Sequence, residues 1–362
     1  MKIQTRFLFA IIAVNMLVLG ACKKDTPAKT EIVGKKPFAE GVFIINEGTF
    51  TTPGYVSFYN RTSGIVQNDI FSNVNGMPLG SLVQSVEVYD SLAYIVVNGS
   101  GKVEVVSANN FKSTGTINGL NSPRYFLGIN SKKGYVSDWS TGDGIANRIA
   151  VINLQTRLIS TSIVTGTGPE KMVMAGTDVY VINGGGFSID STVTVIDCQN
   201  DVVIKTIQVG KRPTGIVKDA DGSIWVMCSG KGFNGWPQAG DSEGHLIKIN
   251  PVSHDIEKDI VFPGSENHPE KLAINKNGSF LYFLYSGGIY QMNISAHDYQ
   301  YSVLVKSGNF YNLGCDPVSN FIFATDPIDF QQDGYVFRFN TVDGAKIDSV
   351  KVGIAPGEFC FR

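Results

Sequence analysis

The chain has 362 residues, of which 30 are Lys or Arg and 32 are Asp or Glu, giving a formal net charge of −2 with only 17% charged residues. A nucleic-acid partner needs a basic footprint, and this balance does not supply one.

Residues 1–21 begin with basic Lys2 and Arg6 and continue in an apolar run from Phe7 to Leu19. That core is too short to cross a bilayer and reads as a signal peptide. Leu19-Gly20-Ala21-Cys22 resembles the lipobox of bacterial lipoproteins, so Cys22 is expected to become the lipidated first residue of the mature chain. The alternative is an ordinary secretory signal with an incidental cysteine. Acylation anchors firmly because each buried methylene adds roughly 0.8 kcal/mol. Lys23-Lys24-Asp25 resembles the short charged signal that sends Bacteroides-type lipoproteins to the cell surface. Residues 22–40 hold Pro27, Pro37, several lysines and little to bury, and are expected to form a flexible tether.

From Gly41 the composition shifts to Val, Ile, Tyr, Phe, Gly and Asn, with no helix-period run longer than two turns. A turn-and-strand unit recurs there. Its anchors are Ser122-Pro123-Arg124-Tyr125, Gly168-Pro169-Glu170-Lys171, Arg212-Pro213-Thr214-Gly215, His268-Pro269-Glu270-Lys271 and Ala355-Pro356-Gly357-Glu358. Leu79-Gly80-Ser81-Leu82 and Gly308-Asn309-Phe310-Tyr311 are copies without proline. The spacing from Gly80 to Pro356 averages about 46 residues, the period of a four-stranded propeller blade. Seven anchors predict an all-β, seven-bladed β-propeller in one domain, 41–362.

Within each unit an inner strand follows the anchor, as at Leu82–Val88. A second strand ends on a polar residue, as in Val179–Asn183, and a third runs to an Asn or Asp, as in Arg148–Asn153. A fourth follows, as in Leu158–Val164. The residues Asn153, Asp197, Asn250, Asn293 and Asn340 fit Asx turns into strand four. Gly41–Asn46, Tyr55–Asn60 and Ile65–Phe71 match strands two, three and four with no inner strand before them, and Gly357–Arg362 is expected to supply it. A blade built from both ends closes the ring and removes open sheet edges.

Propeller geometry puts the anchors on the same face as the loops between strands two and three. These loops carry Phe50, Trp139, Phe187, Phe233, Trp236 and Phe330, and long aromatic loops on a rigid scaffold are a usual place for binding. Asn46, Asn98, Asp138, Asn183, Ser229, Ser286 and Asp326 all fall where strand two meets that rim, either as ligand contacts or as caps of their own turns. Arg124, Lys171, Lys211, Arg212 and Lys271 either line the central mouth or pair with Glu170, Glu270 and Glu358. Tyr125, Tyr285 and Tyr311 complete the expected ligand-binding set.

Signals for catalysis are few. No Gly-x-Ser-x-Gly, His-Glu-x-x-His or phosphate loop occurs, and His245, His254, His268 and His297 are scattered. Asp197-x-x-x-Asp201 and Asp326-x-x-Asp329 lack the oxygen-rich spacing of a calcium loop. Gly184-Gly185-Gly186 is a turn with no helix after it. No enzyme activity, resident metal or catalytic cofactor is expected. Beyond Cys22, the residues Cys198, Cys228, Cys315 and Cys360 are expected to be buried thiols, Cys315–Cys360 being the conceivable bridge in an exported protein.

The lipobox-bearing signal, the tether, and repeats such as Val209-Gly210-Lys211-Arg212-Pro213 and Val179-Tyr180-Val181-Ile182-Asn183 resemble the YncE-like seven-bladed surface lipoproteins. Among these the chain is most similar to the BtuG-like proteins, which capture vitamin B12 (cobalamin) for a TonB-dependent outer-membrane transporter. The resemblance implies an outer-membrane, lipid-anchored, surface-exposed monomer that holds a corrinoid on its loop-rich face, over the transporter's mouth. Two other functions stay open. One is a binding scaffold for a glycan, haem or a protein partner; the other is a metal-dependent propeller lactonase or lyase built around the central channel.

Overall fold

The computed structural model describes residues 37–140, 142, 144, 146–296 and 298–362. The expected signal peptide, Cys22, the Lys23–Asp25 segment, most of the expected tether and His297 lie outside the described residues.

The middle strands are continuous apolar runs such as Val179–Ile182 and Ile224–Cys228, and both of their faces are buried. That pattern arises when sheets stack on either side of a strand, so that no face is left for alternating polar residues. Fourth strands behave differently, and Ile256–Val261 is mostly exposed at the outer edge. Among the described residues the strands form seven four-stranded antiparallel sheets, each following the chain from the centre outward except the one that closes the ring. Each inner strand packs against the next. Val83–Tyr89 meets Ser122–Asn130, then Pro169–Ala175, Pro213–Lys218, Glu270–Ile274, Asn312–Cys315 and Pro356–Phe361, which returns to Val83–Tyr89. The protein is therefore a seven-bladed β-propeller, as the repeat spacing predicts.

Seven apolar clusters, one between each pair of neighbouring blades, make up its core. Ring closure is also as expected. Pro356–Phe361 pairs antiparallel with Gly41–Asn46, matching Val42 to Phe361, Phe43 to Cys360 and Ile44 to Phe359. The third-strand residues cap their turns through their side chains. Asn153 Oδ1 accepts from the main-chain N–H of Gln155 and Thr156, and Asn250 Oδ1 accepts from Val252 and Ser253. Asp197, Asn293 and Asn340 do the same.

Two expectations change. The strand expected over Ile65–Phe71 is reduced to Val66–Gln67, and a helix spans Ile70–Asn75. Asp69 caps it by accepting from Ser72 N–H at 3.3 Å, and Gly76 ends it in the left-handed conformation at φ 73°. Ile70 and Phe71 then turn into the cluster around Phe43 and Phe58. The tether, expected to reach Glu40, also gives way earlier. Phe38 is buried and meets the rings of Phe58 and Phe111 at 5.1 and 5.7 Å.

Cys198, Cys228, Cys315 and Cys360 are all buried and free, so the conceivable Cys315–Cys360 bridge is not formed. Burial pushes the Cys315 thiol up to about 12, with the neighbouring Asp316 charge adding to the shift. Thiol labelling of the native protein followed by peptide mapping is expected to leave all four unmodified, and denaturant should expose them together. Rapid native labelling of any of the four would contradict this packing.

Candidate functional site

Bulges where the inner strands begin bring the anchors around the propeller axis. Pairing registers shift at Val83/Ser85, Pro123/Phe126, Pro169/Met172, Pro213/Gly215 and Glu270/Ala273. A bulge re-aims the side chains beside it. Gln84, Arg124, Glu170, Thr214 and Lys271, beside these bulges, line with Asn312 and Glu358 a single cavity of about 270 Å³ at the loop-rich mouth, one residue from each blade. Gly168 lets the rim close over it: at φ +64°, a Cβ there would lie 2.1 Å from Gly186 N.

Ion pairs tie the blades together around this mouth. Arg124 meets Glu170 at 3.2 Å while its guanidinium lies 4.2 Å over the Trp139 ring. Trp139 is itself held by an Nε1–H bond to Pro169 O at 2.9 Å. Deeper in the channel, Lys171 meets Glu358 at 2.9 Å, and Asn312 Nδ2 donates to the same carboxylate at 3.3 Å. Tyr311 donates its hydroxyl to Glu47 Oε1 at 3.1 Å.

These groups set one another's ionisation. Burial alone would raise the Glu358 carboxyl, but the Lys171 charge and hydrogen bond, with help from Lys271 and Asn312, hold it below the usual range. Glu47 goes the other way, raised by burial against the pull of Lys271 and the Tyr311 hydrogen bond. Glu87, below the mouth, is pushed up to about 7 by burial, reinforced by Glu358 and opposed by Lys171.

Beside the mouth lies a groove of about 540 Å³ that shares Gly186 and Arg212 with it. Phe187, Phe233 and Trp236 line the groove and are 88%, 62% and 68% exposed. Asn234 locks the loop carrying two of these rings onto the next anchor. Its Nδ2 donates to His268 O at 3.0 Å and its Oδ1 accepts from His268 N–H at 2.8 Å. The His268 ring is buried, with Nδ1 2.8 Å from Ser229 O, so that nitrogen is the donor and the residue serves the loop.

The expected site residues divide into three groups. Arg124, Tyr125, Trp139, Arg212, Lys271 and Tyr311 line the mouth, Lys171 lies one layer below it, and Phe187, Phe233 and Trp236 form the groove. Phe50 and Phe330 are exposed, and Phe330 stands edge-on to Tyr311 at 5.0 Å. The third group is a correction, because Asn46, Asn98, Asp138, Asn183 and Asp326 hydrogen-bond within the fold, while Ser286 is exposed. Asn46 is fully buried, donating to Ser57 Oγ at 2.8 Å and accepting from Gly353 N–H at 2.7 Å. Asp138 is buried, accepting from the N–H groups of Asn121 and Ser122 and pairing with Arg148 at 2.9 Å. Asn183 donates to Thr192 and Thr194, Asn98 to Ser122 Oγ and Pro123 O, and Asp326 accepts from Asn309 and Ile328 N–H. Tyr285 belongs to an inter-blade cluster.

Sequence reasoning missed Glu47, Gln84, Thr214 and Asn312, although Thr214 is the third residue of its anchor and Gln84 and Asn312 follow theirs by two residues and one. Among the described residues, no group of three or more His, Cys, Asp or Glu side chains is arranged to hold a metal ion.

Solved structures share the fold. A quinoprotein alcohol dehydrogenase-like protein of Bacteroides thetaiotaomicron superposes with a TM-score of 0.66 at 15% identity, covering 90% of this chain and 78% of that one. The periplasmic gluconolactonase of Pseudomonas aeruginosa gives 0.63 at 12%, covering 88% and 99%. The hydrazine synthase of Kuenenia stuttgartiensis gives 0.60 at 13%, covering 76% and 90%. No curated protein matches the chain by sequence. A family model described as a domain of unknown function, DUF5074, matches residues 40–354.

Proposed function

The chain belongs to the DUF5074 family, and from that premise we propose that it is a surface lipoprotein that captures a ligand and makes and breaks no bond. The ligand is a corrinoid, taken up at the loop-rich mouth and passed to a TonB-dependent outer-membrane transporter. The observation that carries this reading is the continuity of the charged mouth with a groove of exposed aromatic rings. A corrinoid is broad, flat and edged with amides. Rings such as Trp236 and Phe233 would cover its apolar surface, while the polar mouth would meet its edge. A rigid ring of blades loses little entropy on binding, which favours tight capture.

Calorimetric titration of the full-length protein with cyanocobalamin is expected to show binding at micromolar concentration or tighter. Trp236→Ala and Phe233→Ala should each weaken it about tenfold without changing thermal stability, because both side chains are exposed. Absence of both heat and spectral change at micromolar protein would sink the corrinoid reading.

A further inference from the structure

We propose that one side of the mouth is an oxyanion seat, formed by Arg212, Lys271 and the hydroxyl of Thr214, which holds a phosphate ester or carboxylate carried by the ligand. The inference rests on the mouth being a binding site and not on the ligand being a corrinoid.

Three independent features of the same cavity point there. The Thr214 hydroxyl is buried yet has no hydrogen-bond partner. An orphaned buried hydroxyl costs on the order of 1–3 kcal/mol, and of the three such atoms among the described residues, the others being Asn183 Oδ1 and His268 Nε2, it is the one in the lining of the mouth. Lys271 forms no ion pair or hydrogen bond with the described residues, and its ammonium instead lies 5.3 Å over the Tyr311 ring. Arg212 donates one N–H to Gly232 O at 2.6 Å and lies 4.5 Å over Phe233, which leaves its remaining donors free of carboxylates.

The carboxylates nearby are already engaged. Glu170 is held by Arg124, Glu358 by Lys171, and Glu47 by the Tyr311 hydroxyl. With burial raising the Glu47 carboxyl, the charge opposing Lys271 is weakened as well. Both cations also occupy left-handed backbone, Arg212 at φ 52° and Lys271 at φ 56°, a conformation that disfavours side chains other than glycine and aspartate or asparagine. Leu82 and Ala355 share that conformation, so it belongs to the blade repeat; two cations lining one cavity with a hydroxyl that nothing in the fold satisfies have the composition of an oxyanion site.

The test uses the full-length protein and inorganic phosphate, followed by ³¹P line broadening, with cyanocobalamin and cobinamide titrated in parallel because cobinamide lacks the nucleotide phosphate. Wild type should broaden the phosphate line. Lys271→Gln and Thr214→Val should each weaken that binding about tenfold, and Lys112→Gln, at an exposed position, should not. Thr214→Val also separates a binding role from a structural one, since removing an unpartnered hydroxyl should leave the melting temperature unchanged or higher. No broadening by wild type, unchanged broadening in both variants, or an equal loss in Lys112→Gln would overturn the seat. Phosphate binding without corrinoid binding would keep the seat and remove the corrinoid. Corrinoid binding equal in wild type and Lys271→Gln, with no phosphate effect, would do the reverse.

Discussion

Cutting the chain after Ala355 is expected to abolish the cooperative fold, not to trim one blade. The lost segment supplies the inner strand against Gly41–Asn46 and places Phe359 and Phe361 5.9 and 5.5 Å from Phe323 of the neighbouring blade. Phe359 and Cys360 are buried. Arg362 adds N–H donation to Gly41 O at 3.0 Å and guanidinium bonds to Phe38 O and Asn109 Oδ1, both at 2.6 Å. Glu358 would also leave Lys171 without its partner in the channel. Removing a single buried phenylalanine side chain costs about 3–5 kcal/mol, and a whole domain is stable by only about 5–15 kcal/mol. Circular dichroism and size-exclusion chromatography should show an expanded or aggregated chain. A sharp thermal transition within a few degrees of wild type would refute closure by this strand.

Arg61→Ala should have the next largest effect. Arg61 forks onto Asp316 with its Nε at 2.7 Å and Nη2 at 2.8 Å, joining the closing blade to its neighbour, and the Asp316 side chain is fully buried. Taking away the guanidinium strands a charge inside the protein, a loss of about 3–5 kcal/mol. Burial pushes the Asp316 carboxyl up, but bonds from Arg61, Ser319 and Val318 N–H outweigh it and leave the carboxyl below its ordinary value. A depressed folded-state value stabilises the protein above the unfolded value of roughly 4, and this contribution is lost as pH falls through the folded value. The stability gap between wild type and Arg61→Ala should therefore narrow in urea titrations below about pH 4. A gap that stays constant down to pH 2 would show that the pair is not ionised as described.

The blades were legible because their cause is local. Runs such as Val179–Ile182 must be buried on both faces, and the Asx residues after the third strands carry their turn chemistry with them. The helix Ile70–Asn75 was not, since six residues offer too little periodicity to set against a strand, although Asp69 and Gly76 marked its ends. The polar strand ends misled for a different reason. Asn46 is as polar in the sequence as any rim residue, and its burial depends on Gly353, 307 positions away. Thr214 and Lys271 were hard to orient because the bulges at Pro213/Gly215 and Glu270/Ala273 break the two-residue alternation just where it would have shown which side chains face the axis.

The same 307 positions separate two neighbours in time as well as along the chain. A ribosome working at roughly 5–20 residues per second leaves about 15–60 s between making Asn46 and making Gly353. Throughout that interval the edge of Gly41–Asn46 has no native partner, so the nascent polypeptide carries an unpaired template for wrong strand addition until Pro356–Phe361 emerges. Completion of the ring thus cannot precede synthesis of Pro356–Phe361, and a holding chaperone has tens of seconds in which to act.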